Sequence, residues 1–493
     1  MSVRGAAAWA IAGQYLSFAI QFAASVVISR LFLSPGEVGL FSIGLAAALL
    51  AAILQDFGLT RYVAGLETID AAAIARCSSV ALLFSIAVAG VIAAAAGPMA
   101  RAYHQPGLLP IMLIIAASYL LLPLAVVPLA LMGRRMAFHG HFAVNVGGAL
   151  AQAAVAVTLA ALGFSSFALA WGTLASGAAR GLIAQALRPA LPWPLRLDGI
   201  RPIVGSGSRL STLYLTGALG TRTPDLVVGK LLGVVAVGLY SRAVSLSDQF
   251  RMLISGAIGS VFFPAFARIR DRGEPLGPAY LRVAAGYSAV IWPGMAGLAL
   301  AAAPVVRLLY GPAWAGVAPP LQLIAVTELM LVALPLHIDL PILLGRLDRL
   351  LLVNIVDTLL SVTFLAVGCH WGIAGAAASR LVYGVGWLCL YAGFLHRLVG
   401  FDARALLAIY LRSALATLAA LAPLVATYRF IAGPGAIGIG YLVLSTILGA
   451  VAWLAMLMLT RHPAAGELAG LACEAAAAFT RPRRSGAAAD PVV

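Results

Sequence analysis

Apolar blocks separated by short polar breaks fill the chain from end to end. Each block holds about 20 residues, the length at which a helix crosses the hydrocarbon core of a bilayer. Strand-length stretches of alternating polarity are absent, which argues against an outer-membrane barrel. Helices satisfy their own backbone polar groups in lipid, so the blocks predict helical spans. The pattern places fourteen of them, at 6–29, 39–59, 72–97, 109–131, 141–162, 165–187, 205–229, 234–260, 279–303, 319–343, 350–368, 371–395, 405–428 and 436–459. The connections are short, and none is large enough for a soluble domain. The first block is longer than a secretory core and is followed closely by a second, so it predicts a retained span.

One phrase occurs twice. R-L-F-L-S-P-G-E-V-G-L-F-S begins at Arg30, and K-L-L-G-V-V-A-V-G-L-Y-S begins at Lys230. Further anchors follow in the same order. Gly133-Arg134 precedes Val144-Asn145-Val146, and Gly345-Arg346 precedes Val353-Asn354-Ile355. Internal repeats in an apolar chain point to transporters, whose substrate site lies between the repeats. An even number of spans separates the copies, so both enter the membrane in the same direction. The expected fold is an all-α polytopic membrane protein. Two six-helix lobes would be related by a pseudo-two-fold axis along the membrane normal, with two extra helices. The expected divisions are a first lobe at 1–188, an interfacial Pro/Arg linker at 189–204, a second lobe at 205–397, two added spans at 398–460 and a basic tail at 461–493. Pro189, Pro192 and Pro194 exclude a helix in the linker.

Composition agrees with the pattern: 62% of residues are hydrophobic and 10% charged, against about a quarter charged in soluble domains. The charge of +15 rests on 32 Lys and Arg against 17 Asp and Glu. Most of the Arg outside the spans fall on one side; Arg30, Arg101, Arg307 and Arg429 fall on the other. That bias places both termini in the cytoplasm. No basic soluble face exists for nucleic acid. The 4 Cys form no metal or disulfide framework. His139 and His141 are spaced wrongly for one helical metal face. Nucleotide, nucleophile-elbow and zinc-protease motifs are absent, so neither a cofactor, a metal nor enzymatic catalysis is expected.

Charges inside spans are costly and persist where they face a cavity, pair or reach an interface. They are densest at Arg209, Arg222, Asp225, Lys230, Arg242, Asp248 and Arg251. Helical spacing puts Tyr214, Ala218, Arg222, Asp225 and Gly229 on one stripe, and Ser241, Ser245, Asp248 and Ser255 on a second. Bases outnumber acids in this set, which suits an anionic substrate. A structural role competes, because Arg222 with Asp225, and Asp248 with Arg251, are spaced to pair. The substrate-binding candidates are Arg222, Asp225, Lys230, Arg242 and Tyr214, with Gln14 and Gln21 at corresponding first-lobe positions. Gln and Tyr can hydrogen-bond sugar hydroxyls; a core hydrogen-bond role is the alternative. Asp248, Asp357 and Glu328 are candidates for coupling to a proton or sodium ion, against interhelical hydrogen bonding.

G-Q-Y-L-S-F at Gly13, I-S-R-L-F-L-S-P-G-E-V-G-L-F-S-I at Ile28, Q-D-F-G-L at Gln55, D-L-V-V-G-K-L-L-G at Asp225, V-G-L-Y-S-R-A at Val237 and G-P-A-W-A-G-V-A-P-P-L-Q at Gly311 carry a likeness. In this order they resemble the Wzx-like oligosaccharide and polysaccharide flippases, most of all the branch exporting exopolysaccharide units of the colanic-acid type. The resemblance implies the fold of the multidrug and toxin extrusion proteins and the lipid II flippase, two lobes in a V. It implies a substrate, a repeat-unit oligosaccharide on undecaprenyl diphosphate for exopolysaccharide, O-antigen or capsule. That substrate would move to the periplasmic leaflet of the bacterial inner membrane, with a polysaccharide polymerase as a partner beside membrane lipids. A diphosphate at bilayer depth needs cations, and Arg222 and Lys230 answer that need. The lipid II branch has arginines in its first span, where Gln14 and Gln21 stand, which argues against a lipid II role. The alternatives are a multidrug exporter of the same fold, which would favour an acidic cavity, and a membrane polymerase or glycosyltransferase of the same pathway, which would want a large catalytic loop.

Overall fold

A computed structural model describes residues 3–52, 62–63, 70–191, 195–196 and 208–466; side chains at 3, 4, 6, 7, 208–216, 218 and 253–265 are outside that description. The expected tail beyond 466 and most of the expected linker fall outside the described residues.

The described chain is helical. The helices are α1 (Val3–Leu31), α2 (Pro35–Ala52), α3 (Ala71–Ala102), α4 (Leu108–Leu120), α5 (Pro123–Arg134), α6 (Phe138–Ala161), α7 (Ser166–Leu187), α8 (Ser208–Leu232), α9 (Val234–Asp271), α10 (Leu276–Leu300), α11 (Ala302–Tyr310), α12 (Ala318–Ala333), α13 (Asp339–Leu343), α14 (Leu347–Cys369), α15 (Gly372–Val399), α16 (Ala403–Phe430) and α17 (Ile439–Leu459), with a 3₁₀ turn at Pro312–Val317. Local chemistry sets several ends. Asp70 caps α3 by accepting from Ala73 N at 2.6 Å, and Asp402 caps α16 through Arg404 N at 2.8 Å, each satisfying a free N–H of a first turn. At α2 the Ser34 N–H donates to Glu37 Oε2 at 2.7 Å, and Pro35 needs no partner for a missing donor. Gly400 ends α15 with φ of 70°, a left-handed cap that glycine takes without a Cβ clash.

Within the described residues, the expected spans fall on helices or on pairs of helices; 53–59 and 205–207 lie outside them. Among the described residues, 10 helices are long and apolar enough to cross a membrane, or 11 when the bent pair α4–α5 is one span. The expected fourteen exceed that number because much of α8 lies outside the described side chains, α9 carries Arg242, Asp248 and Arg251, and α7 carries Thr173, Ser176, Arg180 and Gln185. The expected span at 109–131 is bent by 41° between α4 and α5. The expected span at 319–343 divides into α12 and the short α13. Both breaks carry the same tripeptide, Leu122-Pro123-Leu124 and Leu334-Pro335-Leu336. Proline lacks the N–H that would continue the ladder and crowds the preceding turn. The breaks are thus a further mark of the repeat.

Helices α1 to α7 pack among themselves, as do α8 to α15, while α16 and α17 pair with each other and lean on α10. The two lobes meet chiefly where α2 lies against α8 and α9, and where the end of α1 reaches α11. The duplicated phrase lies at this seam. A methyl placed on Gly39 would collide with Val234 O and Gly238 N, and one on Gly238 would collide with Pro35 O and Gly39 N. Ser42 Oγ and Ser241 Oγ lie 3.2 Å apart, 199 positions apart in sequence. Helices α2 and α9 therefore start side by side and leave the crossing in the same direction. Reciprocal contacts of this kind mark an axis that runs along both helices. Without a hydrophobic driving force in lipid, close backbone approach at small residues is what holds helices together.

Candidate functional site

The described hydrogen bonds that cross between the lobes gather at the end of the bundle where α2 and α9 begin. Trp314 Nε1 donates to Ser29 O at 2.7 Å, Tyr103 Oη to Leu226 O at 2.8 Å, and Lys230 Nζ to Ala102 O at 2.6 Å. Arg30 donates to Leu308 O. Arg242 on α9 reaches across to α1, donating to Ser25 Oγ and, at 2.8 Å, to Ser29 Oγ. Its guanidinium lies 5.3 Å from the Tyr310 ring and 5.4 Å from the Trp314 ring, where the ring faces attract a cation. This end is sealed.

Beyond the seal the helices diverge around a cavity of about 620 Å³. Its first-lobe wall is α2, with Ser42, Leu45, Ala46 and Leu49; its second-lobe wall comes from α8, α9, α12, α14 and α15. Gly233, with φ of 86°, makes the tight turn that folds α9 back against α8. Arg222 and Asp225 from α8, and Ser241, Ser245, Asp248 and Arg251 from α9, are thereby brought to one space. Arg251 is held by two carboxylates, Asp248 at 3.0 Å and Glu328 at 3.1 Å. Arg380 donates to Ser361 Oγ at 2.8 Å and lies 4.4 Å from the Tyr383 ring. The Tyr383 hydroxyl in turn donates to Asp357 at 2.9 Å. Arg222 is exposed in the cavity and makes no described ion pair. The Arg222–Asp225 pair that helical spacing allows is not formed among the described residues; Arg222 is exposed and the short Asp225 side chain is half-buried.

The cavity brings together the candidates Arg222, Asp225, Asp248, Glu328 and Asp357. It does not include Lys230 or Arg242, which belong to the seal. Gln14 and Gln21 are exposed on α1, outside the cavity lining. They lie seven residues apart and in line with Ser25, so they share the α1 face that turns toward α9 near the seal. The Tyr214 side chain lies outside the described residues. The expected excess of bases is not seen among the described residues, and the Arg209 side chain lies outside them. Three arginines, Arg222, Arg251 and Arg380, face Asp225, Asp248, Glu328 and Asp357. Two bases lie at the seal, and two acids come from α12 and α14, helices distant in sequence.

The sequence reading passed over an aromatic stripe. Tyr383, Trp387 and Tyr391 are four apart on α15 and line the cavity with His337. Trp387 and Tyr391 ring centres lie 4.9 Å apart, and His337 meets each at 5.0 Å. The spacing of these three aromatics was the available signal.

Several known proteins are similar. The chain is 23% identical to the lipopolysaccharide biosynthesis protein WzxC of Escherichia coli K12, over 66% of each chain. It is 24% identical to the succinoglycan biosynthesis transport protein ExoT of Rhizobium meliloti, over 65% of each. These matches thus span just under two thirds of either relative. Among solved structures, the lipid II flippase MurJ in an inward closed conformation superposes with a TM-score of 0.72 at 12% identity, covering 92% of this chain and 98% of that one. An inward-facing multidrug resistance MATE family transporter of the MOP superfamily superposes at 0.60 with 16% identity, covering 80% and 100%. At such identities the superpositions speak for the lobed, pseudo-symmetric helical fold alone. The model of one family, described as polysaccharide biosynthesis protein, matches residues 27–319, the stretch that holds the first phrase, the second phrase and the seam between them: this multi-pass membrane chain belongs to the polysaccharide biosynthesis protein family.

Proposed function

We propose that the chain is a flippase that moves a polyprenyl-diphosphate-linked oligosaccharide from the cytoplasmic to the periplasmic leaflet of the bacterial inner membrane. The observation that carries this reading is a polar cavity between two lobes, closed at one end by the Gly39–Gly238 crossing. Such a cavity is opened to the other side when the lobes rock about their axis. The side-to-side bias in Arg supports cytoplasmic termini, so that the sealed end faces the periplasm. Arg222 is exposed in the cavity and makes no ion pair among the described residues, and a diphosphate accepts the two-pronged donor of a guanidinium. Asn354, Asp357 and the Tyr383 hydroxyl offer partners to sugar hydroxyls. Asp248, Glu328 and Asp357 are the candidates for a coupling proton or sodium ion. The chemistry is transport rather than bond-making, and a polymerase would take the flipped product.

The acid count favours a second reading, a multidrug exporter of organic cations. Deletion of the protein separates the two. The flippase reading expects lipid-linked oligosaccharide to accumulate on the inner leaflet, with no change in efflux of an organic cation such as ethidium. Faster ethidium accumulation with normal lipid-linked sugars would overturn it.

A further inference from the structure

A second pocket, of about 290 Å³, lies at the sealed end, where the first lobe, the second lobe and the appended helix pair meet. Its polar groups are two arginines, Arg30 at the end of α1 and Arg307 on α11. Its apolar wall includes Leu308, Pro434, Ile439 and Leu442. We propose that this pocket binds the phosphate of a membrane lipid headgroup, at a site separate from the cavity between the lobes.

Each arginine uses one arm to hold the pocket together. Arg30 donates to Leu308 O, and Arg307 donates to Gly435 O in the segment between α16 and α17. A guanidinium has five N–H donors in a fixed fork, so most of each fork remains for a ligand. Both side chains belong to exposed residues, and among the described residues no carboxylate lines the pocket. Two guanidinium groups in so small a space repel one another. A phosphate between them relieves that repulsion and accepts from both, in the geometry for which arginine is suited. The apolar wall chooses among phosphates. Leu308 is 41% exposed and Ile439 60% exposed, and Ile439 opens the lipid-facing side of α17, which continues through Val443, Leu444 and Ile447. A ligand here has its phosphate beside hydrocarbon. That is the chemistry of a lipid headgroup rather than of free phosphate.

The site also bears on movement. Arg30 belongs to one lobe and Arg307 to the other, so a headgroup held by both ties the lobes at the sealed end. That the lobes part here rests on the transport reading; binding itself does not.

The test uses the full-length protein, delipidated in detergent, without substrate or gradient. Native mass spectrometry measures retention of dioleoyl phosphatidylglycerol against dioleoylglycerol, which lacks the phosphate. The wild type should retain the phospholipid at least tenfold better. Arg307→Gln leaves the Arg30–Leu308 contact in place and should cost about tenfold in affinity, the worth of one charge-assisted hydrogen bond. Arg30→Gln with Arg307→Gln should lower retention to the level of dioleoylglycerol, and the Lys pair should hold more than the Gln pair. Inorganic phosphate at the lipid's concentration should not displace it. Wild-type retention by Arg307→Gln, or displacement by equimolar phosphate, overturns the proposal. Transport is not read in any arm, so failure of the flippase assignment leaves this outcome unchanged.

Discussion

Arg222 and Arg251 stand in one cavity and do opposite work. Arg251 is locked between Asp248 and Glu328, and the Glu328 side chain is only 11% exposed. Removing the base leaves a buried carboxylate without its partner, which is costly. Arg251→Gln should therefore lower the amount of folded protein in the membrane, and adding Glu328→Gln should recover it, as read by immunoblot and thermal melting. Arg222 has no such partner among the described residues. Arg222→Ala should abolish export at normal protein level, and Arg222→Lys should restore part of it, since lysine lacks the planar fork. The double variant Arg222→Gln, Asp225→Asn should remain inactive; recovered export in that variant would refute a substrate role for Arg222. Helical spacing in the sequence was enough to put Arg222, Asp225, Ser241, Ser245 and Asp248 around a common space. It could not show that Arg242 points away. Arg242 is one position, about 100° of rotation, past Ser241, and that turn carries it to Ser25 and Ser29 on α1.

Among the elements, α2 and α9 hold the lobes together. The duplicated phrase marked both helices but not that they cross, because small residues four apart are everywhere in a chain with 51 Gly. The broken spans were less legible. A single proline does not interrupt hydrophobicity, so the apolar pattern ran straight through Pro123 and Pro335. The crossing makes two forecasts. A methyl at Gly39 or Gly238 meets backbone, which cannot step aside. Gly39→Ala should weaken the seal, seen as labelling by a membrane-impermeant thiol reagent of a cysteine placed at Ser42. Cysteines at both Ser42 and Ser241, in a background free of the native thiols, should cross-link on oxidation, since the two hydroxyls lie 3.2 Å apart. The cross-link should arrest export, and reductant should release it. Continued export with the bond intact would show that the lobes do not part at this end.

For the whole molecule, hydropathy and repeat order were enough for an all-helical, two-lobed membrane fold, because lipid leaves the backbone few choices. They were not enough for the sign of the cavity. That sign depends on α12 and α14, which supply Glu328 and Asp357 from far along the chain. Orientation belongs to this scale as well. Cysteine labelling from outside should reach the segment between α16 and α17 and miss the C-terminal tail; outside-only labelling at the tail would reverse the assigned sides.

If the chain is the flippase proposed above, the glycine crossing separates two tasks that a carrier of bulky cargo must perform together. Its contacts are made by main-chain atoms and by the lack of a side chain, whereas the cavity is lined mostly by polar, charged and aromatic side chains. Insulation of the membrane against ion leak therefore does not depend on what the cargo is. On that reading, a descendant could exchange residues around the cavity to accept a different cargo and still hold the voltage and the proton gradient of its cell throughout the change.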